Sequence, residues 1–209
     1  MFSSLRSRPS WDLHQQFPLK SIPFAGTILG GLLPGEMVLI QGSVPSGADR
    51  FQVDLTCGSS VKPRADVAFH FNPRIKKSCI VCNTLEKEQW GREEILYQMP
   101  LKVGPGFELI ILVLKDKYKV AVNGAHVLEY KHRVDLDRVD TISISGIVNV
   151  QTVAVLPPDS MIVLCNQQHF RVAVNGLHQF HYRHRVQDLS TIGHLEVKGD
   201  VSLLEVRML

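Results

Sequence analysis

The segment YKVAVNG at residues 118–124 returns as FRVAVNG at residues 170–176, and EYKHRV at 129–134 returns as HYRHRV at 181–186. Each copy alternates side chains around an Asn-Gly pair, the turn that joins two antiparallel strands in two residues. A chain carrying this hairpin twice is built from antiparallel β-structure and a duplicated unit. Other short β runs surround the first copy, at residues 37–44, 50–55, 66–71, 78–82, 107–114, 141–145 and 148–155. Turn residues separate them, and no long stretch has helical period. Many short strands at this spacing argue an all-β, two-sheet antiparallel sandwich.

The repeat is unequal. Similarity between the copies runs on through Ser145-Gly146 and Lys198-Gly199 to the chain end, so the second unit holds the back half of the first. About fifty residues of alternating strands cannot close a two-sheet core, because their apolar face lacks opposing strands.

Charge is nearly balanced, with 23 Lys plus Arg against 20 Asp plus Glu. This argues against a nucleic-acid partner, and the cluster Lys62, Arg64, Arg74, Lys76 and Lys77 reads as a solvated rim. Residues 1–17 have no apolar core of signal-peptide length, and no segment reaches the length of a membrane span. The expectation is cytosolic synthesis without membrane insertion. Four cysteines suit a reducing compartment. Cys79 and Cys82 lie three apart on a strand and point to opposite faces, so no metal site and no cofactor is expected.

The chemistry gathers in HFNPRIKKSCIVCNTLEKEQWGREE, residues 70–94. On an extended strand His70, Asn72 and Arg74 share one face, while Phe69, Phe71 and Ile75 share the other. Asn83 ends the next strand, and Trp90 and Glu93 follow. Paired donors and acceptors beside one large aromatic ring suit a polyhydroxylated ligand. In residues 48–55 the same alternation buries Phe51, Val53 and Leu55 and leaves Arg50, Gln52 and Asp54 on the polar face.

These motifs, H-x-N-P-R, a strand ending in Asn, and W-x-x-E, resemble the galectin signature, in particular tandem-repeat galectins. The resemblance covers about residues 18–156 and implies a jelly-roll sandwich that binds β-galactosides on glycoproteins or glycolipids, of the lactose or N-acetyllactosamine type. It implies that His70, Asn72 and Arg74 bind the axial 4-hydroxyl of galactose. Asn83 and Glu93 take the 6-hydroxyl, Trp90 covers the C–H face, and Arg74 with Glu93 reaches the adjoining sugar. It also places Arg50, Gln52 and Arg64 beside that site, where guanidinium groups would pair with a 3-linked sialyl or sulfate group. The bland alternative is that Arg50 and Arg64 neutralise Asp54 and Asp66.

The organisation expected is an N-terminal arm (1–17), a complete carbohydrate-recognition domain (18–156), a short junction (157–158) and the C-terminal half of a second domain (159–209) without sugar ligands. Self-association through that half-unit is open, as is an interaction role independent of sugar. Catalysis is not expected, since a glycosidase needs two carboxyl groups at the scissile bond and the signature supplies one, Glu93. Galectins commonly leave the cell without a signal peptide, which implies an extracellular pool.

Overall fold

The computed structural model describes residues 15–17, 21–201, 203, 206 and 208. Most of the expected N-terminal arm, residues 1–14, and the expected domain start at Pro18 lie outside the described residues. In chain order the strands are β1 (Gln15–Gln16), β2 (Phe24–Thr27), β3 (Met37–Ser43), β4 (Phe51–Thr56), β5 (Val67–Arg74), β6 (Cys79–Glu86), β7 (Gln89–Trp90) and β8 (Glu94–Leu96). They continue as β9 (Gly106–Val113), β10 (Lys117–Val122), β11 (Ala125–Lys131), β12 (Thr141–Gly146), β13 (Asn149–Leu156), β14 (Met161–Cys165), β15 (His169–Val174) and β16 (Leu177–Arg183).

A six-stranded back sheet runs β1-β13-β3-β9-β10-β11 and a seven-stranded front sheet runs β2-β12-β4-β5-β6-β7, with β8 also on β6. All these pairs are antiparallel. The two sheets face each other over one core, the sandwich that the strand pattern implies. Phe51, Val53, Leu55, Phe69 and Phe71 enter it from the front; Val38, Ile40, Ile111, Tyr118, Val120 and Val122 enter from the back. Phe69 stacks on Tyr118 with ring centroids 4.9 Å apart, and Tyr130 lies 5.0 Å from Phe69 on its other contact. Burial pushes the Tyr130 phenol up to about 12, although its hydroxyl is hydrogen-bonded to Thr84 Oγ1 at 2.7 Å.

Alternation alone would leave the outer face of the back sheet polar. Instead Met37, Leu39, Ile110, Leu112, Ala154 and Leu156 are buried there, in a second cluster completed by Ile162 of β14. The layer that covers them is a third, three-stranded sheet in the order β14-β15-β16. It lies on the face of the sandwich, and its strands take none of the places of β10 and β11. Gly176 approaches Met37 so closely that a Cβ would come within 2.8 Å of its Sδ. Arg171 Nη1 donates to the Asn123 carbonyl, and His178 lies against Gly124. Both Asn-Gly turns adopt left-handed backbone at both positions, with φ of 52° and 78° at Asn123-Gly124 and 53° and 72° at Asn175-Gly176. The duplicated hairpin therefore keeps its shape and changes its place.

Candidate functional site

The outer face of the front sheet, opposite the third layer, carries the predicted polar residues. Strand β5 presents His70 and Asn72 in its interior and Arg74 at its end, and register sets His70 between Asp54 of β4 and Asn83 of β6. His70 Nδ1 bonds Asp54 Oδ1 at 2.6 Å. A carboxylate can only accept, so this bond puts the proton on Nδ1 and turns Nε2 outward as the acceptor of the neutral ring. Gln52 Nε2 donates to the other Asp54 oxygen at 2.7 Å.

A second chain of bonds runs along β5. Asn72 Nδ2 donates to the Phe51 carbonyl at 2.6 Å, Arg74 Nε donates to Asn72 Oδ1 at 2.9 Å, and Arg74 Nη2 lies 3.5 Å from Glu93 Oε1. Each planar group is thus fixed by one edge and keeps donors or acceptors on the other. Asn83 is tied more fully: Nδ2 donates to the Gly91 carbonyl, while Oδ1 accepts from Thr84 N–H and Arg133 Nη1. One amide hydrogen of Asn83 remains for a ligand.

Trp90 stands at the rim, 44% exposed, with its ring centroid 4.9 Å from that of His70. The Arg64 guanidinium sits 5.3 Å over the same ring. The backbone of Arg50 pairs antiparallel with that of Arg74 at the sheet edge. Asp66 takes its partners from Lys87 N–H at 2.7 Å and Arg138 Nη2 at 2.5 Å, and Asp54 takes His70 and Gln52. Among the described residues neither Arg50 nor Arg64 forms an ion pair. The neutralising partners weighed for them in the sequence are therefore engaged elsewhere.

The structure brings His70, Asn72, Arg74, Asn83, Trp90 and Glu93 onto one face, with Gln52 beside them and the Arg50 and Arg64 side chains exposed. Two groups in this network escaped sequence reasoning. Asp54 was visible on the polar face, but its hold on His70 depends on strand register. Arg133 bridges Asn83, the Arg92 carbonyl and Glu94, and nothing in its surroundings in the sequence marks it. Cys79 pairs with Arg74 and Cys82 with Phe71, on opposite faces of the sheet. Burial pushes the Cys82 thiol up to about 12, well away from a reactive thiolate. Among the described residues, no group of three or more His, Cys, Asp or Glu side chains is placed to hold a metal, and no helix is long and apolar enough to cross a membrane.

The family described as galactoside-binding lectin matches residues 23–155 and, separately, residues 158–208. The chain belongs to the galectins. Rat galectin-8 is 33% identical over 300 aligned positions, covering 90% of this chain and 95% of that protein. Those positions outnumber the 209 residues here, so the alignment spans places where this galectin has no residue. Human galectin-12 is 44% identical over 137 residues, which are 65% of this chain and 41% of that relative. Sheep galectin-11 in complex with glycerol superposes with a TM-score of 0.61 at 28% identity over 66% of this chain and all of the other. A human galectin-16 variant gives 0.61 at 27% identity over 68% of this chain and 99% of its own. The relatives are lectins, and the family binds β-galactosides.

Proposed function

We propose that this galectin is a lectin with one intact site, on the front sheet, for lactose and N-acetyllactosamine-type glycans. The observation that carries this reading is the adjacency of Trp90 to His70 at the end of a preformed row of Asn72, Arg74 and Glu93. The ring offers an apolar surface for a sugar's C–H face. His70 Nε2 and the Arg74 guanidinium offer an acceptor and donors to one axial hydroxyl. Glucose in the same place leaves that pair unmatched, and a polar group desolvated without a partner costs about 1–3 kcal/mol. Because both rows of side chains are already bonded to the protein, little ordering remains to be done on binding. Titration of lactose calorimetrically into the wild type and Arg74→Ala tests the site. Heat of binding lost in the variant is expected; equal affinity in both would reject it.

The site extends, on this reading, toward Arg50, Gln52 and Arg64, and the extension prefers galactosides with an anionic group at the 3-position. Two exposed guanidinium groups that form no ion pair among the described residues support it. Lactose carrying a 3-linked sialyl group is expected to bind more tightly than lactose, with the difference reduced in Arg64→Ala. Equal affinities would confine recognition to the central row. Residues 159–209 hold no second copy of the signature, so on this reading one copy of this chain offers one such site.

A further inference from the structure

The third sheet packs one face on the sandwich and leaves an interior-type face uncovered on the other side. Ile162 and Ala173 turn inward, toward the sandwich. On the outer side, register aligns Val163, Val172 and Phe180 in one row and Cys165, Phe170 and Tyr182 in the next. Phe170, Val172 and Val174 are the copies of Tyr118, Val120 and Val122, which are wholly enclosed in the first unit. Here Val163 and Phe180 stand 46% and 55% exposed. An apolar sheet face of this kind requires a layer to cover it.

We propose that a second copy of this chain supplies that layer, through the same face, in a twofold-symmetric dimer. The rows themselves carry no charged side chain, although the Arg185 guanidinium lies 5.3 Å over the Tyr182 ring, so most of the face can meet its own image without opposing like charges. Residues 159–209 hold five Arg and Lys against five Asp and Glu, so the two tails approach without net repulsion. A twisted sheet of this kind packs on another about 10 Å away, with strands within about 30°. A half-exposed large side chain presents roughly 100 Å², so the six of this face supply about 600 Å² of the roughly 800 Å² per partner of a stable interface, and the partly exposed Phe170, Val172 and Cys165 lie between them. Met161, Leu177 and Val186 flank the two rows, and Ile192, Leu195 and Val201 of the following segment are exposed with the same apolar pattern.

The layer order gives this dimer a function. The polar front face and the third sheet lie on opposite sides of the sandwich, so pairing through the third sheet turns the two front faces away from each other. Given the sugar reading proposed above, two monovalent chains become a divalent lectin able to bridge separate glycans.

Sedimentation of the full chain at about 10 μM, near the strength expected of an interface this size, tests the proposal alongside Val172→Asp and Phe180→Asp. Cys165 is the exposed cysteine of this face, and a short bis-maleimide should link it between copies. The expected result is a wild-type dimer that cross-links at Cys165, and monomers without cross-link for both variants. A monomeric wild type would overturn the proposal, as would a dimer that survives both substitutions. Lactose titration of the same samples separates the two readings. A dimer that ignores lactose sinks the sugar site and keeps the interface, whereas a monomer that binds lactose does the reverse.

Discussion

Asp54 holds His70 through Nδ1 and Gln52 through Nε2, and it is itself buried. Replacing it with Ala leaves a buried imidazole without its orienting partner, and His70 then rotates or exchanges tautomer. Asp54→Ala should weaken lactose binding about tenfold, or about 1.4 kcal/mol, although Asp54 lies behind the ligand's nearest contacts. Calorimetry on a variant with an intact far-ultraviolet spectrum checks this. Trp90→Ala should cost at least as much, since no other residue of the face replaces the ring's apolar surface. The difference in legibility between these two residues is physical. Trp90 is marked by its own spacing from Asn83 and Glu93, whereas the task of Asp54 follows from pairing with a strand sixteen residues away. A third residue-scale effect concerns Glu108, whose carboxyl is pushed up by burial on the outer face of the back sheet, against the pull of Gln41 and Arg171. Folded chain then keeps a proton that unfolded chain has lost, across the interval between the ordinary carboxylate value and the raised one. Stability should fall as pH rises through that interval. Urea unfolding midpoints from pH 4 upward should show this decline, and Glu108→Gln should flatten it.

The hairpin joining β6 and β7 positions Trp90, and it is strained. Lys87 and Glu88 both occupy left-handed backbone, at φ of 50° and 63°, without a glycine between them. Asp66 secures this turn by accepting the Lys87 N–H. That bond, with Arg138 on the other oxygen, holds the Asp66 carboxyl below the usual range. Asp66→Ala should therefore lower lactose affinity several-fold through a looser Trp90. Lys87→Gly in that background should recover part of the lost melting temperature by removing backbone strain. If Asp66→Ala left both affinity and melting unchanged, the turn would be self-supporting. The sequence pattern located β6 but ended it at Asn83, because Asn83 and Thr84 look like a polar strand end. Both are buried and bonded, Asn83 to the Gly91 carbonyl and Thr84 to the Ala68 carbonyl, so the strand runs on to Glu86. The short strands β7 and β8 lie in EKEQWGREEIL, where charge hides the alternation, and their pairing with β6 is a tertiary effect.

Residues 159–209 make the molecule three layers deep, and the signal for this was present but ambiguous. Runs such as residues 109–113 and 37–40 are apolar at every position, which means burial on both faces of a strand. Alternation read alone assigns one face and passes over the other. The near identity of the tail's hairpin with β10 and β11 would let it compete for their places in the sandwich. Those places are filled by a closed core around Tyr118 and Tyr130, while the back sheet offers an apolar outer face that matches Ile162 and Ala173. Removing residues 159–209 tests this arrangement. The front face is on the other side of the sandwich and keeps all the contacts described for His70, Asn72, Arg74 and Trp90, so lactose affinity should stay within about twofold, less than 0.5 kcal/mol. Met37, Leu39, Ile110, Leu112, Ala154 and Leu156 would be uncovered together, and each large side chain returned to water costs about 1.5–3 kcal/mol. The shortened chain should unfold at lower urea, bind an apolar fluorescent dye strongly and precipitate at concentrations the full chain tolerates. Lost lactose binding would instead make the tail part of the lectin domain, and unchanged dye binding and stability would show that the third sheet does not close the back sheet at all.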